Sequence, residues 1–332
     1  MKLSYLLSWL VSLFTITHSH AHALDIADME KKESFLPYFN ADSAYYFIQQ
    51  QINFGPRVPN TEAHQHCKKF LKKQLQAYGA QVHMQEFQAL SFENKTLQLC
   101  NIIASFNVHS KSRILLAAHW DTRPFADKDT NSQERPILGA NDGASGVGIL
   151  LEIARMINEM PLTNIGIDII FFDGEDYGPT EECKNNFTNP ALFWCLGSQY
   201  WSKHPHQPNY TAQYGILVDM VGNGKATFYQ EAWSMLYSPK HVMRVWNIAQ
   251  ELGYGNYFIS QPSGYHILDD HYFVNKYAHI PMINIIDHTT ASQNCFGFYH
   301  HTHADNLDLI SKETLQAVGQ TVLQAIYTIP SE

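Results

Sequence analysis

The chain has 332 residues, 45% of them hydrophobic and 16% charged, with 31 acidic against 22 basic side chains and a net charge of −9. This is the composition of a folded globular protein with a substantial core, and it excludes disordered and collagen-like chains. A mildly acidic chain without a Lys/Arg block argues against nucleic acid as a partner, whereas 18 histidines put metal chemistry among the candidates.

In chain order, Lys2 precedes an apolar run from Leu3 to about Ile16, followed by small residues at Ala21 and Ala23. That is the layout of a secretory signal peptide cleaved after Ala23. The expected organisation is a signal segment over 1–23 and a single catalytic domain over 24–332, exported to the periplasm or secreted. Later apolar runs are too short to cross a bilayer, so no stable membrane association is expected after cleavage. Asp25 to Phe39 reads as a surface arm. A helix capped by Asn40 or Asp42 runs to about Ile52, and Gly55-Pro56 breaks it. Asn60 or Thr61 caps a second helix, with Gly79 at its C′ position. Ala80–Ala89 and Leu97–Phe106 alternate as a hairpin around Asn94-Lys95.

From Arg113 the pattern changes. Ile114–Ala118 is a continuous apolar strand ending at His119-Trp120-Asp121, and Gly139-Ala140-Asn141-Asp142-Gly143 leads into a helix with Val147, Leu150, Leu151, Ala154 and Ile157 on one face. Ile165–Phe172 is a second buried strand that ends in Asp173-Gly174-Glu175-Asp176, where Gly174 suits a turning backbone. Cys195–Trp201 starts a helix, Tyr214–Val218 is a strand ending at Asp219, and Phe228 begins an irregular aromatic segment. Ser238-Pro239 opens a helix closed by Gly253, Pro281–Ile286 is the last core strand, and Leu315 to about Ile326 is a C-terminal helix. Buried strands alternating with amphipathic helices give an α/β fold, a three-layer sandwich whose central sheet is mixed and mostly parallel. Export makes disulfides possible, and of the five cysteines Cys183 and Cys195, flanking one loop, are the expected bridge. Cys67 and Cys100 are expected as buried thiols.

In such sheets ligands bind beyond the carboxyl ends of the strands. Those ends carry His119 with Asp121, Glu175 with Asp176, Asp219, and the His-rich segment after Ile286, and Asp142 sits at a helix start on the same edge. A catalytic zinc takes about three N/O ligands and keeps a position open. Each candidate has a plainer reading: Asp142 as a helix cap, His119 as donor to a carbonyl, Asp219 as acceptor in a turn. Their convergence on one edge favours a site.

The order His119-x-Asp121, Gly139–Gly146 around Asp142, Phe172-Asp173-Gly174-Glu175-Asp176, Asp219, and His301-Thr302 with Asp305 is similar to that of the zinc exopeptidase superfamily of the aminopeptidase type. Ala118–Pro124, Trp194–Trp201 and Asp269-Asp270-His271 resemble the bacterial glutaminyl cyclases within it, and the likeness spans roughly Phe54 to Ile310. The resemblance implies one zinc per chain held by Asp142, Asp176 and His301, with Asp176 standing where animal cyclases have Glu. It implies Glu175 as general acid and base, with Asp219 and Asp269 as further active-site acids. The substrates implied are peptides or proteins with N-terminal Gln, which become pyroglutamyl products with release of ammonia, and a monomer is expected. The rival is a two-zinc aminopeptidase that adds His119 and Asp219 on a second metal, and Asp269 leans against it. A non-catalytic domain of the same fold should have lost one of these residues, and none is lost. His300 stands where the animal enzymes have Trp, which leaves Phe296, Phe298, Tyr299 and Trp233 as candidate pocket walls. Asp173 has no assigned role.

Overall fold

The computed structural model describes residues 36–290 and 295–328. The expected signal peptide lies outside the described residues, as does the arm up to residue 35. The elements are α1 (Ala41–Ile52), α2 (Glu62–Ala77), β1 (Gln81–Leu90), β2 (Thr96–Phe106), β3 (Arg113–His119), α3 (Ala144–Glu159), β4 (Gly166–Phe172), α4 (Leu196–Lys203) and β5 (Tyr214–Asp219). They continue with β6 (Phe228–Gln230), α5 (Ala232–Tyr237), α6 (Pro239–Glu251), β7 (Phe258–Pro262), α7 (Asp270–Phe273), β8 (Met282–Ile286) and α8 (Lys312–Tyr327).

Six strands form the central sheet in the order β1-β2-β4-β3-β5-β8. β4, β3, β5 and β8 are mutually parallel, and β1 and β2 add an antiparallel hairpin on one side. Strand alternation splits the apolar side chains between two cores. Ile114, Leu116 and Ala118 of β3, with Ile167, Ile169 and Phe171 of β4, face the larger core, which also takes in residues of α1, α3, α6 and α8. Leu115, Ala117, Ile170 and Phe172 face a smaller core with Trp201, Leu217, Val274 and Met282. Burial on both faces is why Ile114–Ala118 and Ile169–Phe172 read as unbroken apolar runs.

Local signals set the boundaries. Asn40 caps α1 through its side chain, which accepts from Ser43 N, and Thr61 caps α2 by accepting from His64 N. Two segments depart from the sequence reading. The end of the expected surface arm is docked: Phe39 is fully buried and its N–H donates to Gln320 Oε1 at 2.8 Å. The stretch from Phe228 is ordered, as β6 paired with β7 and then α5. Short strands of three to five residues carry too little periodicity to be read in advance. Among the described residues no helix is long and apolar enough to cross a membrane.

Candidate active site

Because β3, β4 and β5 run parallel, their carboxyl ends deliver His119, the Asp173–Asp176 turn and Asp219 to one edge. Gly174 turns the chain with φ +71°, a conformation that side-chain-bearing residues rarely adopt. His119 Nε2 lies 3.1 Å from Asp219 Oδ1 and 3.1 Å from Asp142 Oδ1, so neither His119 nor Asp219 takes its plainer role. Asp142 does not cap α3; the cap is Gly143, with no side-chain bond.

Two buried carboxylates brace the backbone beneath these groups. Asp121 accepts from the N–H groups of Glu175 at 3.1 Å and Asp176 at 3.2 Å. Asp305 accepts from those of Asn141 at 2.6 Å and Asp142 at 3.0 Å. Burial, with the charge of Asp142 nearby, pushes the Asp305 carboxyl up to about 7. Asp173 also proves structural: it accepts from Cys100 N at 2.7 Å and pairs with the buried His64 at 3.0 Å, whose ring stacks on Trp120.

The expected ligands come together. His301 Nε2 is 3.2 Å from Asp176 Oδ1 and 3.9 Å from Asp142 Oδ2. Asp176 Oδ2 is buried without a hydrogen-bond partner among the described residues. Burial, reinforced by the Asp142 charge, holds the Asp176 carboxyl well above the usual range. Two carboxylates and an imidazole converging with an orphaned oxygen are donors that zinc binds, and the residues fit a metal. Of the neighbouring histidines, His303 is exposed, with its ring Nε2 3.3 Å from Ser132 O and its backbone N–H donating to Asp129 Oδ2 at 2.8 Å. His300 is nearer: a donor atom of its ring lies within 4.8 Å of those of Asp142 and His301. Its Nδ1 is occupied by Lys128 Nζ at 2.7 Å.

Glu175 stands beside this set. Burial holds its carboxyl well above the usual range, with Asp269 and Asp176 adding to the effect against the opposing pull of His119. Cys195 Sγ donates to Glu175 Oε1 at 3.2 Å. That contact overturns the expected Cys183–Cys195 bridge: all five cysteines are free, and Cys183 contacts Thr180 instead. Asp269 is the N-cap of α7, and its Oδ2 accepts from Asn284 at 2.6 Å. Cys195, Met220 and His301 are non-glycine residues at φ +54°, +50° and +60°, each at or next to a site group. Such positions cost about 1–3 kcal/mol apiece and persist where the surroundings over-determine them.

A cavity of about 300 Å³ connects these groups, lined by Asp142, Glu175, Asp176, Asp219, Asp269 and His301. Of the four candidate walls only Phe296 lines it. Phe298 is 78% exposed, Tyr299 is buried with its hydroxyl on Asp287, and Trp233 packs outside. The aromatic wall that sequence reasoning missed is Trp194, which lies parallel to the His301 ring at 6.1 Å with the Arg123 guanidinium 4.9 Å from its centroid. Arg123 in turn binds Asp127 at 2.6 and 3.0 Å and reaches Asp176 Oδ1 at 3.4 Å. The signal available in advance was Gly178: a Cβ there would overlap the Trp194 ring at 1.9 Å, so a glycine soon after the acids marks a close approach.

A sequence model of peptidase family M28 matches residues 101–326. The glutaminyl cyclase of Tannerella forsythia is 49% identical with a TM-score of 0.85, over 89% of this chain and 100% of that one. A Zn-dependent exopeptidase from Parabacteroides distasonis is 48% identical with a TM-score of 0.85, again over 89% and 100%. The aminopeptidase YwaD of Bacillus subtilis is 25% identical over 245 residues, 71% of this chain and 46% of that protein. The chain spans about half the length of the curated relatives it matches. Motif order, the shared edge of acids and histidines, and a family match over most of the chain agree: the chain belongs to peptidase family M28, in the branch that holds the bacterial glutaminyl cyclases.

Proposed function

We propose that the protein is a glutaminyl-peptide cyclotransferase, converting N-terminal glutamine of peptides or proteins to pyroglutamate with release of ammonia. The observation that carries this reading is a second acid beside the base: carboxylate oxygens of Glu175 and Asp269 lie within 4.8 Å of each other, on the cavity wall. An α-amine nucleophile brings several N–H bonds and needs several acceptors, whereas activation of water needs one base.

One zinc held by Asp142, Asp176 and His301 would polarise the γ-amide carbonyl as a Lewis acid. The chain supplies the rest. Glu175 takes a proton from the substrate's α-amine and returns it to the leaving nitrogen, a transfer suited to a carboxyl raised by burial. Asp219, held by His119, and Asp269, held by Asn284, accept the remaining N–H bonds. Nucleophile and electrophile belong to one molecule, so the cavity need only hold the glutamine side chain folded back. Trp194 and Phe296 supply apolar walls for that conformation.

One observation favours a second reading. Donor atoms of His119, Asp142 and Asp219 also lie within 4.8 Å of one another, as a two-zinc aminopeptidase requires. Parallel incubation with Gln-β-naphthylamide and Leu-p-nitroanilide, with an ammonia assay, separates the two. The cyclase reading expects ammonia from the first, no nitroaniline from the second, and one zinc per chain. Leucine release without ammonia, or two tightly bound zincs, sinks it. Export after loss of 1–23 accompanies this reading, and exported protein beginning at Met1 would refute that part.

A further inference from the structure

The cavity, at about 300 Å³, is at the small end for a ligand pocket, so the residues that follow the N-terminal glutamine of a peptide must lie outside it. One side of its mouth continues into an aromatic surface. His266 lines the cavity and is itself exposed, and Trp233 packs edge-on against it at 4.5 Å. Trp233 also meets Tyr272 at 4.8 Å and Tyr237 at 6.0 Å. Beside them Leu236 is 63% exposed and Tyr237 38% exposed. A run of apolar surface joined to a catalytic cavity is a binding feature more often than a chance one.

The surface is also rigidly tied to the cavity wall. The Glu231 carboxylate accepts from Trp233 N at 2.8 Å and Ser234 N at 2.7 Å, which fixes the start of α5. The same carboxylate accepts from Ile267 N, on the cavity wall, at 3.0 Å and meets His271 Nε2 at 3.0 Å. One buried acid therefore holds the aromatic shelf and the wall in register. Pre-organisation of this kind lowers the cost of binding.

We propose that Trp233, Leu236, Tyr237 and Tyr272 form an extended subsite for an apolar or aromatic side chain in the residues following the N-terminal glutamine. The proposal rests on the cyclase reading. Its occupant is set by continuity with the cavity, because a peptide seated there must leave across the mouth, and the shelf offers mainly rings, with the Lys276 ammonium 3.2 Å from the Tyr272 hydroxyl. The preferred substrates are then peptides with an aromatic or large apolar residue shortly after the glutamine.

The test compares Gln-Gly-Phe-Leu-amide with Gln-Gly-Ser-Ser-amide by ammonia release, alongside glutamine amide as a substrate too short to reach the shelf. The expected result is a kcat/KM about 10-fold higher for the Phe-Leu peptide, the order expected for burying one such side chain. Leu236→Ser and Tyr237→Ser, both at exposed positions, should cut that preference to less than about 3-fold while glutamine amide turns over unchanged. Equal rates for the two tetrapeptides, or a preference that survives both substitutions, overturns the subsite. So does a concentration-dependent dimer that Leu236→Ser dissolves, since the shelf would then belong to a second copy. Failure of the cyclase reading looks different: no substrate, glutamine amide included, releases ammonia. In that case calorimetric titration of the same two peptides decides the shelf, with tighter binding of the Phe-Leu peptide supporting it and equal affinities overturning it.

Discussion

The two ends of the parallel strands bury acids in opposite ways. At the amino end, Asp168 of β4 is fully buried, yet the Arg113 guanidinium binds it, Tyr210 donates to it at 2.7 Å, and Ser105 donates as well. Every lone pair has a partner, and the cluster closes over itself. At the carboxyl end, Asp142, Glu175, Asp176, Asp219 and Asp269 share a cavity with Arg123, itself committed to Asp127. There Asp176 Oδ2 has no hydrogen-bond partner among the described residues, and the backbone is bent into unfavourable conformations at Cys195, Met220, Cys295 and His301. The same residue type is structural where its charge is matched and chemical where it is not, because uncompensated burial is tolerated only when something else draws on it.

Breaking the chemical end should cost rate without stability. Glu175→Gln is expected to lower kcat by about 10²–10⁴-fold with zinc still bound, read by ammonia release and metal analysis. Full activity in that variant would remove Glu175 from its role. Breaking the structural end should do the reverse. Asp168→Ala leaves Arg113 buried and unpaired and should cost about 3–5 kcal/mol in urea unfolding, with kcat per folded molecule unchanged.

The braces lie between these extremes. Asp305→Asn removes an acceptor from the Asn141 and Asp142 amides and should weaken zinc binding about 10–100-fold, measured by competition with a chelating dye. Unaltered zinc affinity would show that Asp142 holds its position without the brace.

Glu231 tests the comparison through pH. It pays the desolvation cost of burial, but the His271 ring and the α5 amides outweigh that and pull its carboxyl down to about 2 from an ordinary 4.5. A depressed carboxylate stabilises the fold above its unfolded value, so about 3 kcal/mol should be present above pH 4.5 and lost as pH falls towards 2. Glu231→Gln should flatten the stability curve in that window, and an unchanged acid-unfolding profile would contradict the pairing. The smallest effect is expected from Gly178→Ala, which must displace Trp194 and should raise KM several-fold more than it lowers kcat.

Much of the fold was readable because burial on both faces of a parallel strand leaves an unmistakable apolar run, as in Ile114–Ala118 and Ile169–Phe172. Helix starts were readable to within two candidate caps each, Asn40 or Asp42 and Asn60 or Thr61, because capping is local chemistry, and the structure selects Asn40 and Thr61. The candidate ligands were readable because parallel strands send their carboxyl ends to one edge whatever the details of packing. The cysteine pairing was not, since proximity in sequence says nothing about where a thiol points; Cys195 turned inward to Glu175.

By itself, then, the sequence determined the layered architecture, the acid-rich edge and the residues that could meet there. These depend on periodicity, capping and strand direction, all carried within short stretches of chain. Only the tertiary structure decided which acids are matched and which are not, that Trp194 rather than Phe298 or Tyr299 walls the cavity, and that Asp173 is a packing group. Those outcomes depend on pairs far apart in the chain, such as Asp305 with Asp142 and His64 with Asp173, whose energies arise from burial and hydrogen-bond geometry.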